Sequence, residues 1–302
     1  MVAQNSSRIL VTGVSGPIGA ALLPSLNARG FQVARLVRGA ASDERQISWD
    51  PSKPLPPERV SGFDAVVHLA GEGIVGRWTE AKKGRIRNSR ISPTQHLVQS
   101  LTKAKDHPRV LITASAIGYY GDRGDEILRE DSPPGEGFLA EVCREWEAAS
   151  QPAAQAGIRT VQMRTGLVLS PVGGALQKML LPFRMGLGGN MGSGRQWWSW
   201  IDVQDWVGAL NHILKSDLLQ GPVNLVAPRP VTNAEFTKTL ASVLSRPAIF
   251  PMPAFAARLA FGQMADELLL ASQRAEPAKL ISSGYTFQHS DLKTALQAIL
   301  KR

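Results

Sequence analysis

Residues 11–19 read VTGVSGPIG, a β-branched run that breaks into three spaced glycines and passes directly into the helix-like stretch IGAALLPSLNARG. A buried strand that turns at once into a helix must send the chain back across the sheet, so the next strand lies parallel to the first. Glycines at 13, 16 and 19 let backbone N–H groups approach a pyrophosphate, whose charge then rests on the helix N-terminus. Pro17 suits the first helical turn, where a missing N–H costs little. With Ile18 beside it, Gly13, Gly16 and Gly19 form the expected cradle. The spacing is G-x-x-G-x-x-G rather than the commoner G-x-G-x-x-G, so the argument rests on context as well as on the triplet.

That context continues down the chain. FQVARLVR (31–38), ISWD (47–50), FDAVVHLAG (63–71), RVLITASA (109–116) and IRTVQMRTGLVLS (158–170) read as strands. Between them lie a long helix over about 80–104, capped by Thr79 with Glu80 in its first turn, and a second over FLAEVCREWEAASQPAAQAG. Strand–helix alternation of this kind specifies a parallel sheet covered on both faces. After Ser170 the pattern changes to a glycine-rich loop, a Trp-rich strand, a late strand at GPVNLVAP (221–228) and a mainly helical tail with caps at Thr232 and Asn233.

Composition removes several alternatives. The 302 residues are 43% hydrophobic, enough for a sizeable core, yet no apolar run is long enough to span a bilayer. MVAQNSS carries no secretory signal pattern. The single cysteine, Cys143, excludes an internal disulfide and fits a reducing cytoplasm. The five histidines are scattered, so no metal site is expected. A net charge of +9 invites a nucleic-acid reading, but the densest basic run, EAKKGRIRNSR, has a helical amphipathic period. It reads as a solvated helix face that also meets an anionic cofactor, with no nucleic acid and no membrane as partner.

The second strand indicates which cofactor. It ends in Val37-Arg38, and the first acidic residue beyond is Asp43. A carboxylate at a strand end binds ribose hydroxyls and repels a 2′-phosphate, whereas a guanidinium grips the phosphate through paired hydrogen bonds. NADP(H) is the expected cofactor.

These residues resemble the extended short-chain dehydrogenase/reductase superfamily. The similarity is closest to an atypical, epimerase-like branch with a small C-terminal domain of its own, sometimes labelled putative cell-division inhibitors. It rests on VTGVSGPIG, HLAGE (68–72), RWTEAKKGRIRNSR (77–90), SAIGYYG (115–121), GFLAEVCREWE (137–147), RTGLVLSPVGGAL (164–176), LPFRMGLGGNMGSGRQ (181–196) and TNAEF (232–236). The resemblance implies that Leu69, Ala70 and Gly71 pass beneath the ribose and nicotinamide, and that Val168 lies near the nicotinamide ring. It implies that Arg90 reaches the phosphates and that Arg85 does so from the rim. Many relatives pair through two long helices, which makes a homodimer through 80–104 an expectation.

The superfamily's Tyr-x-x-x-Lys is missing. A Tyr moves the proton, and a Lys four residues on lowers its pKa and binds the nicotinamide ribose. Here the two possible registers give Phe138 with Val142 or Leu139 with Cys143, and Phe138, Val142, Cys143 and Trp146 form an apolar seam. Ser115 is the candidate substrate-hydroxyl partner, with Ala116 in its place if the alignment slips by one. Tyr119 and Tyr120 are the only phenols nearby, and Glu130-Asp131 read as a cap on the following segment. In GSGRQWWSWID, Arg195 and Trp197 are the candidate substrate contacts.

The expected architecture is α/β: a Rossmann-type doubly wound parallel sheet with a smaller, mainly helical C-terminal substrate domain. Residues 1–170, completed by about 199–228, would bind NADP(H), and 171–198 with 229–302 would form the substrate lid. The expected activity is that of an oxidoreductase or epimerase-like protein acting on a small molecule. The alternative is a non-catalytic NADPH sensor.

Overall fold

The computed structural model describes residues 7–300, so most of the leading segment read for a signal lies outside the described residues. The strands of the main sheet are β1 (Arg8–Thr12), β2 (Gln32–Val37), β3 (Gln46–Ser48), β4 (Ala65–His68), β5 (Val110–Ala116), β7 (Arg159–Thr165) and β11 (Gly221–Leu225). They form one seven-stranded sheet in the order β11-β7-β5-β4-β1-β2-β3, with every pairing parallel. The order reverses between β1 and β4. A crevice at that switch point, outside the carboxyl ends of the strands, is where open α/β sheets bind ligands.

Helices cover both faces. Helices α1 (Pro17–Ala28) and α6 (Val203–Lys215) bury Leu22, Leu26, Trp206 and Leu210 against Ile9, Val11, Val67 and Ile112. On the other face α2 (Glu80–Lys103) and α4 (Gln151–Gln155) set Leu97, Leu101 and Ala153 against Leu10, Val66 and Leu111. Adjacent strand residues therefore feed opposite cores, and each fully buried large side chain contributes roughly 2–3 kcal/mol. Thr79 caps α2 as expected, its side chain accepting from Lys82 N. Between α2 and α4 in the sequence lies α3 (Phe138–Ala149), the helix of the missing dyad. Among the described residues no helix is long and apolar enough to cross a membrane.

The stretch 158–170 is two strands rather than one. Gly166 breaks it, because a Cβ there would lie 2.4 Å from the Ser199 carbonyl oxygen and 2.7 Å from Val226 Cγ1. Beyond the break, β8 (Leu167–Leu169) leaves the sheet and pairs in parallel with β10 (Trp200–Asp202). Two more short ladders join β9 (Trp197–Trp198) to β12 (Val231–Thr232) and β6 (Ile127–Leu128) to β13 (Arg274–Ala275). Helices α5 (Gly174–Arg184), α7 (Asn233–Leu244) and α10 (Leu292–Leu300) pack with β8–β10 into a separate apolar cluster around Trp200, Phe236 and Leu296. Thr232 and Glu235 form a capping box on α7. Asn233 is not a second cap; its Oδ1 accepts from Met191 N and ties α7 to the glycine-rich loop. Helix α9 (Ala278–Ser282) returns to the main sheet, with Leu280 in its core, and α8 (Ala254–Phe261) sets Phe261 against the cluster of Trp78 and Phe138.

Candidate functional site

The turn after β1 is built without side chains. Gly13 has φ +73°, and a Cβ on it would lie 2.4 Å from the backbone of Leu69 and Ala70. Its absence lets the turn rest on the end of β4. Gly19 lets α1 start close to the turn, since a Cβ there would meet the Val14 carbonyl oxygen at 2.1 Å. Gly16 differs: it N-caps α1 in an extended conformation with no side-chain cap, and nothing lies within 4 Å of its would-be Cβ. The first-turn N–H groups of Ile18 and Gly19 are thus uncapped by any side chain, the arrangement that favours a bound anion. The loop before α5 leans over the same turn, with the would-be Cβ of Gly173 at 2.7 Å from the Pro17 ring.

At the end of β2, Arg38 is exposed, as are the two residues after it, and half-buried Val37 precedes it. Asp43, the carboxylate that would oppose a phosphate, is engaged elsewhere. It pairs with Arg35 at 2.8 Å and accepts from Arg45 N and Gln46 Nε2. The local cation at the strand end is therefore not neutralised by the nearest acid.

The segment Leu69–Gly71 leaves β4 beside this turn. Beneath it, His68 is fully buried between Thr12 Oγ1 at 2.7 Å from Nδ1 and Thr94 Oγ1 at 3.1 Å from Nε2. Thr94 donates to the Arg90 carbonyl and accepts from Trp146 Nε1, so Nε2 must carry the His68 proton. Burial pushes this imidazole down to about 4, and it stays neutral. The structure places Arg85 and Arg90 differently from one another. Arg85 is at the rim, its Nε 3.2 Å from Glu72 Oε1, which Lys82 also holds at 2.6 Å. Hydrogen bonds from these two cations keep the Glu72 carboxyl below its usual range. Arg90 points inward, donating to the carbonyls of Ile86 and Glu72 and stacking over Trp146 at 5.1 Å. Val168, on β8, is half-buried against the main core.

The wall formed by β5 and α3 corrects several expectations. Ser115 is buried and donates to Glu147 Oε1 at 2.7 Å, so its hydroxyl is spent inside the protein; Ala116 is the more open neighbour. The same carboxylate grips Arg164 in a bidentate pair at 2.8 and 2.9 Å. Burial alone would lower the Arg164 guanidinium, but Glu147's hydrogen bonds and charge outweigh it and hold the group above its ordinary value. Tyr120 is fully buried as well. Its hydroxyl lies 2.7 Å from Asn224 Oδ1 and 2.9 Å from the Arg129 carbonyl, and accepts from Arg164 Nη1 at 3.0 Å. Burial pushes that phenol up to about 12, and its hydrogen-bond partners all lie inside the protein. Tyr119 is half-buried with the Arg164 guanidinium 3.5 Å above its ring, and it is the phenol left toward the surface. Glu130 does not cap the segment after it; buried, it accepts from Asn224 N and Lys279 N and clasps β11 to α9.

Helix α3 presents its seam as expected, with Phe138, Val142, Cys143 and Trp146 all buried. Burial pushes the Cys143 thiol up to about 12, with Glu147 adding in the same direction, so it is a packed hydrophobe rather than a nucleophile. The helix N-terminus is closed by Glu267, whose carboxylate accepts from Phe138 N at 3.1 Å and Leu139 N at 2.8 Å. Gly137, at φ +100°, leaves room for it, as a Cβ would come within 3.0–3.2 Å of that carboxyl. Arg195 is exposed, and Trp197 is half-buried, donating to Asp125 Oδ1 at 2.7 Å with Arg274 stacked at 4.4 Å. Trp198 and Trp200 are core. Among the described residues no three His, Cys, Asp or Glu side chains are placed to hold a metal ion.

Sequence reasoning missed Glu147, Arg164, Asn224 and Glu267. The first three are 17 to 77 residues apart, and nothing short of the β5-β7-β11 pairing shows that they converge. For Glu147 and Arg164 a local signal existed: a charged residue on an apolar helix seam and another inside a buried strand call for each other.

Comparisons with known proteins accord with this geometry. The sequence model of the NAD dependent epimerase/dehydratase family matches residues 9–225, and a domain of unknown function, DUF1731, matches residues 252–299. The epimerase family protein Mb2239 of Mycobacterium bovis is 44% identical over 290 residues, covering 95% of this chain and 96% of that protein. The crystal structure of human epimerase family protein SDR39U1 (isoform 2) with NADPH superposes with a TM-score of 0.90 at 37% identity, covering 97% of this chain and 99% of that one. A nucleoside-diphosphate sugar epimerase from Corynebacterium glutamicum gives 0.82 at 38% identity, covering 98% of this chain and 58% of that one.

Proposed function

The chain belongs to the NAD-dependent epimerase/dehydratase family, and on that premise we propose that it binds NADP(H) and acts as an oxidoreductase or epimerase-like protein on a small molecule. The observation that carries this is the first βα turn. An uncapped helix N-terminus behind Gly16 lies at the switch point of the sheet, and an unneutralised Arg38 stands at the end of the next strand. The NADPH bound to the human relative supports the choice of cofactor. When bound, the nicotinamide would supply hydride chemistry. The chain's own residues would hold the dinucleotide: Gly13, Gly16, Ile18 and Gly19 at the pyrophosphate, Val37 and Arg38 at the adenosine 2′-phosphate, and Leu69, Ala70, Gly71 and Val168 along the nicotinamide half.

Proton transfer falls to Tyr119, since Ser115 and Tyr120 are occupied. The Arg164 guanidinium, stacked 3.5 Å above its ring, holds the phenol in place. Substrate enters from the side of Arg195 and Trp197, beneath the smaller helical lobe, which is the natural lid. The lone buried cysteine fits a reducing compartment such as the cytoplasm.

Calorimetry with NADPH and NADH on the wild type and on Arg38→Ala tests the cofactor assignment. Wild type should prefer NADPH by at least ~10-fold, and the variant should lose about that factor for NADPH only. Equal affinities in both proteins would refute it. One observation favours the non-catalytic reading: the α3 seam at the missing dyad is apolar, and the Ser115 and Tyr120 hydroxyls are engaged within the protein. Single-turnover NADPH oxidation over a carbonyl panel, with Tyr119→Phe as control, separates the two. Turnover that collapses in the variant supports the enzyme, and none in either protein supports the sensor.

A further inference from the structure

The dyad lysine supplies a fixed cation beside the nicotinamide ribose, and the buried face of α3 carries none, its one cation, Arg144, being exposed. The structure shows which of its two registers faces the strand ends. A Cβ on Gly118, in the turn after β5, would meet Leu139 Cβ at 3.3 Å and Cys143 Sγ at 3.9 Å, whereas Phe138 stacks edge-on with Trp78 at 5.3 Å. Cys143 therefore marks the lysine position.

A cation reaches the same place from the neighbouring helix. The Arg90 guanidinium stacks on Trp146 at 5.1 Å, three residues beyond Cys143 on the same seam. It also lies against the strand-end segment: a Cβ on Gly71 would come 3.2 Å from Arg90 Cζ, so the glycine at 71 is what admits it. The group is held firmly. Nη1 donates to the Ile86 carbonyl at 3.0 Å and to Ser89 Oγ at 3.3 Å, and Nη2 donates to the Glu72 carbonyl at 2.9 Å. Those bonds use three of the five N–H donors of a guanidinium.

Resting on the dinucleotide reading above, we infer that Arg90, from α2, supplies at the nicotinamide ribose the fixed cation that a lysine on α3 would otherwise supply. Arg90 is then a ribose-binding residue rather than a phosphate clamp, and the loss of the lysine is compensated by a substitution on a different helix.

The test compares two ligands that differ in the nicotinamide riboside. NADPH carries it; 2′-phospho-ADP keeps both pyrophosphate phosphates and lacks it. Arg90→Met preserves the aliphatic stem on Trp146 and removes the charge. It should raise the NADPH Kd at least ~10-fold while leaving 2′-phospho-ADP within about 2-fold of wild type, and Arg90→Lys should restore most of the NADPH affinity. Arg90→Gln, which still donates to a carbonyl, gives the same readout if the Met variant melts at a much lower temperature. Equal weakening of both ligands in a variant with an intact melting curve would make Arg90 a phosphate contact and overturn the inference. Unchanged affinity for both would overturn it as well. Failure of the wild type to bind either compound would instead defeat the dinucleotide reading on which it rests.

Discussion

The turn after β1 and the wall made by β5 and α3 handle polar groups in opposite ways. At the turn, glycines clear the space, the helix N-terminus has no side-chain cap, and Arg38 is exposed. At the wall, Ser115, Glu147, Arg164, Tyr120 and Asn224 satisfy one another. Polar groups left open are available to a ligand, and polar groups that close on each other hold the fold together. In this chain the turn leaves its backbone groups open, while Ser115 and Tyr120, which look catalytic in sequence, are engaged within the protein.

That contrast breaks most readily at Arg164. Arg164→Met leaves the Glu147 carboxylate buried and unpaired, so chemical denaturation should show a loss of about 3–5 kcal/mol. NADPH affinity of the folded fraction should hardly change. A large affinity loss with little destabilisation would place Arg164 in the ligand site and erase the distinction. Next is His68, directly beneath the cofactor segment. Its imidazole is held at about 4 when folded, against an ordinary value near 6.5, so the unfolded chain takes up the proton first as pH falls. Stability from this residue is complete above pH ~6.5 and is lost progressively toward pH ~4, in total about 3 kcal/mol. Denaturation curves across that range should be flatter for His68→Asn, and parallel curves would show that the histidine does not titrate on unfolding. The smallest effect is at Tyr120. Tyr120→Phe removes a donor and an acceptor from a buried cluster and should cost about 1–3 kcal/mol by thermal melting. Any NADPH-dependent turnover should survive. A variant as stable as wild type but without turnover would return this phenol to the catalytic list.

The architecture was legible because it is periodic. Parallel strands buried on both faces are apolar runs, the helices between them carry caps such as Thr79, and the glycine turn at 13–19 has local causes for each residue. The split at Gly166 was not legible, since it depends on the distant Ser199 carbonyl and Val226. The cradle could be read for the same reason as the strands: its chemistry is backbone and contiguous. The wall was legible only in the charges of Glu147 and Arg164, because a hydroxyl such as Ser115 reads identically whether it faces substrate or a carboxylate 32 residues away. Glu267, which closes α3 from more than a hundred residues further on, left no signal at all.

The central claim, that a phosphorylated dinucleotide lies on the first βα turn, is tested most directly at Gly16. This residue caps α1 with φ −92° and has nothing within 4 Å of a would-be Cβ, so an aspartate fits and, as a good N-cap, should maintain or raise stability. In the same position its carboxylate would face the pyrophosphate. Melting curves and NADPH fluorescence titration of Gly16→Asp should show an intact fold with affinity down at least ~30-fold. A well-folded variant that still binds NADPH as the wild type does would contradict the account.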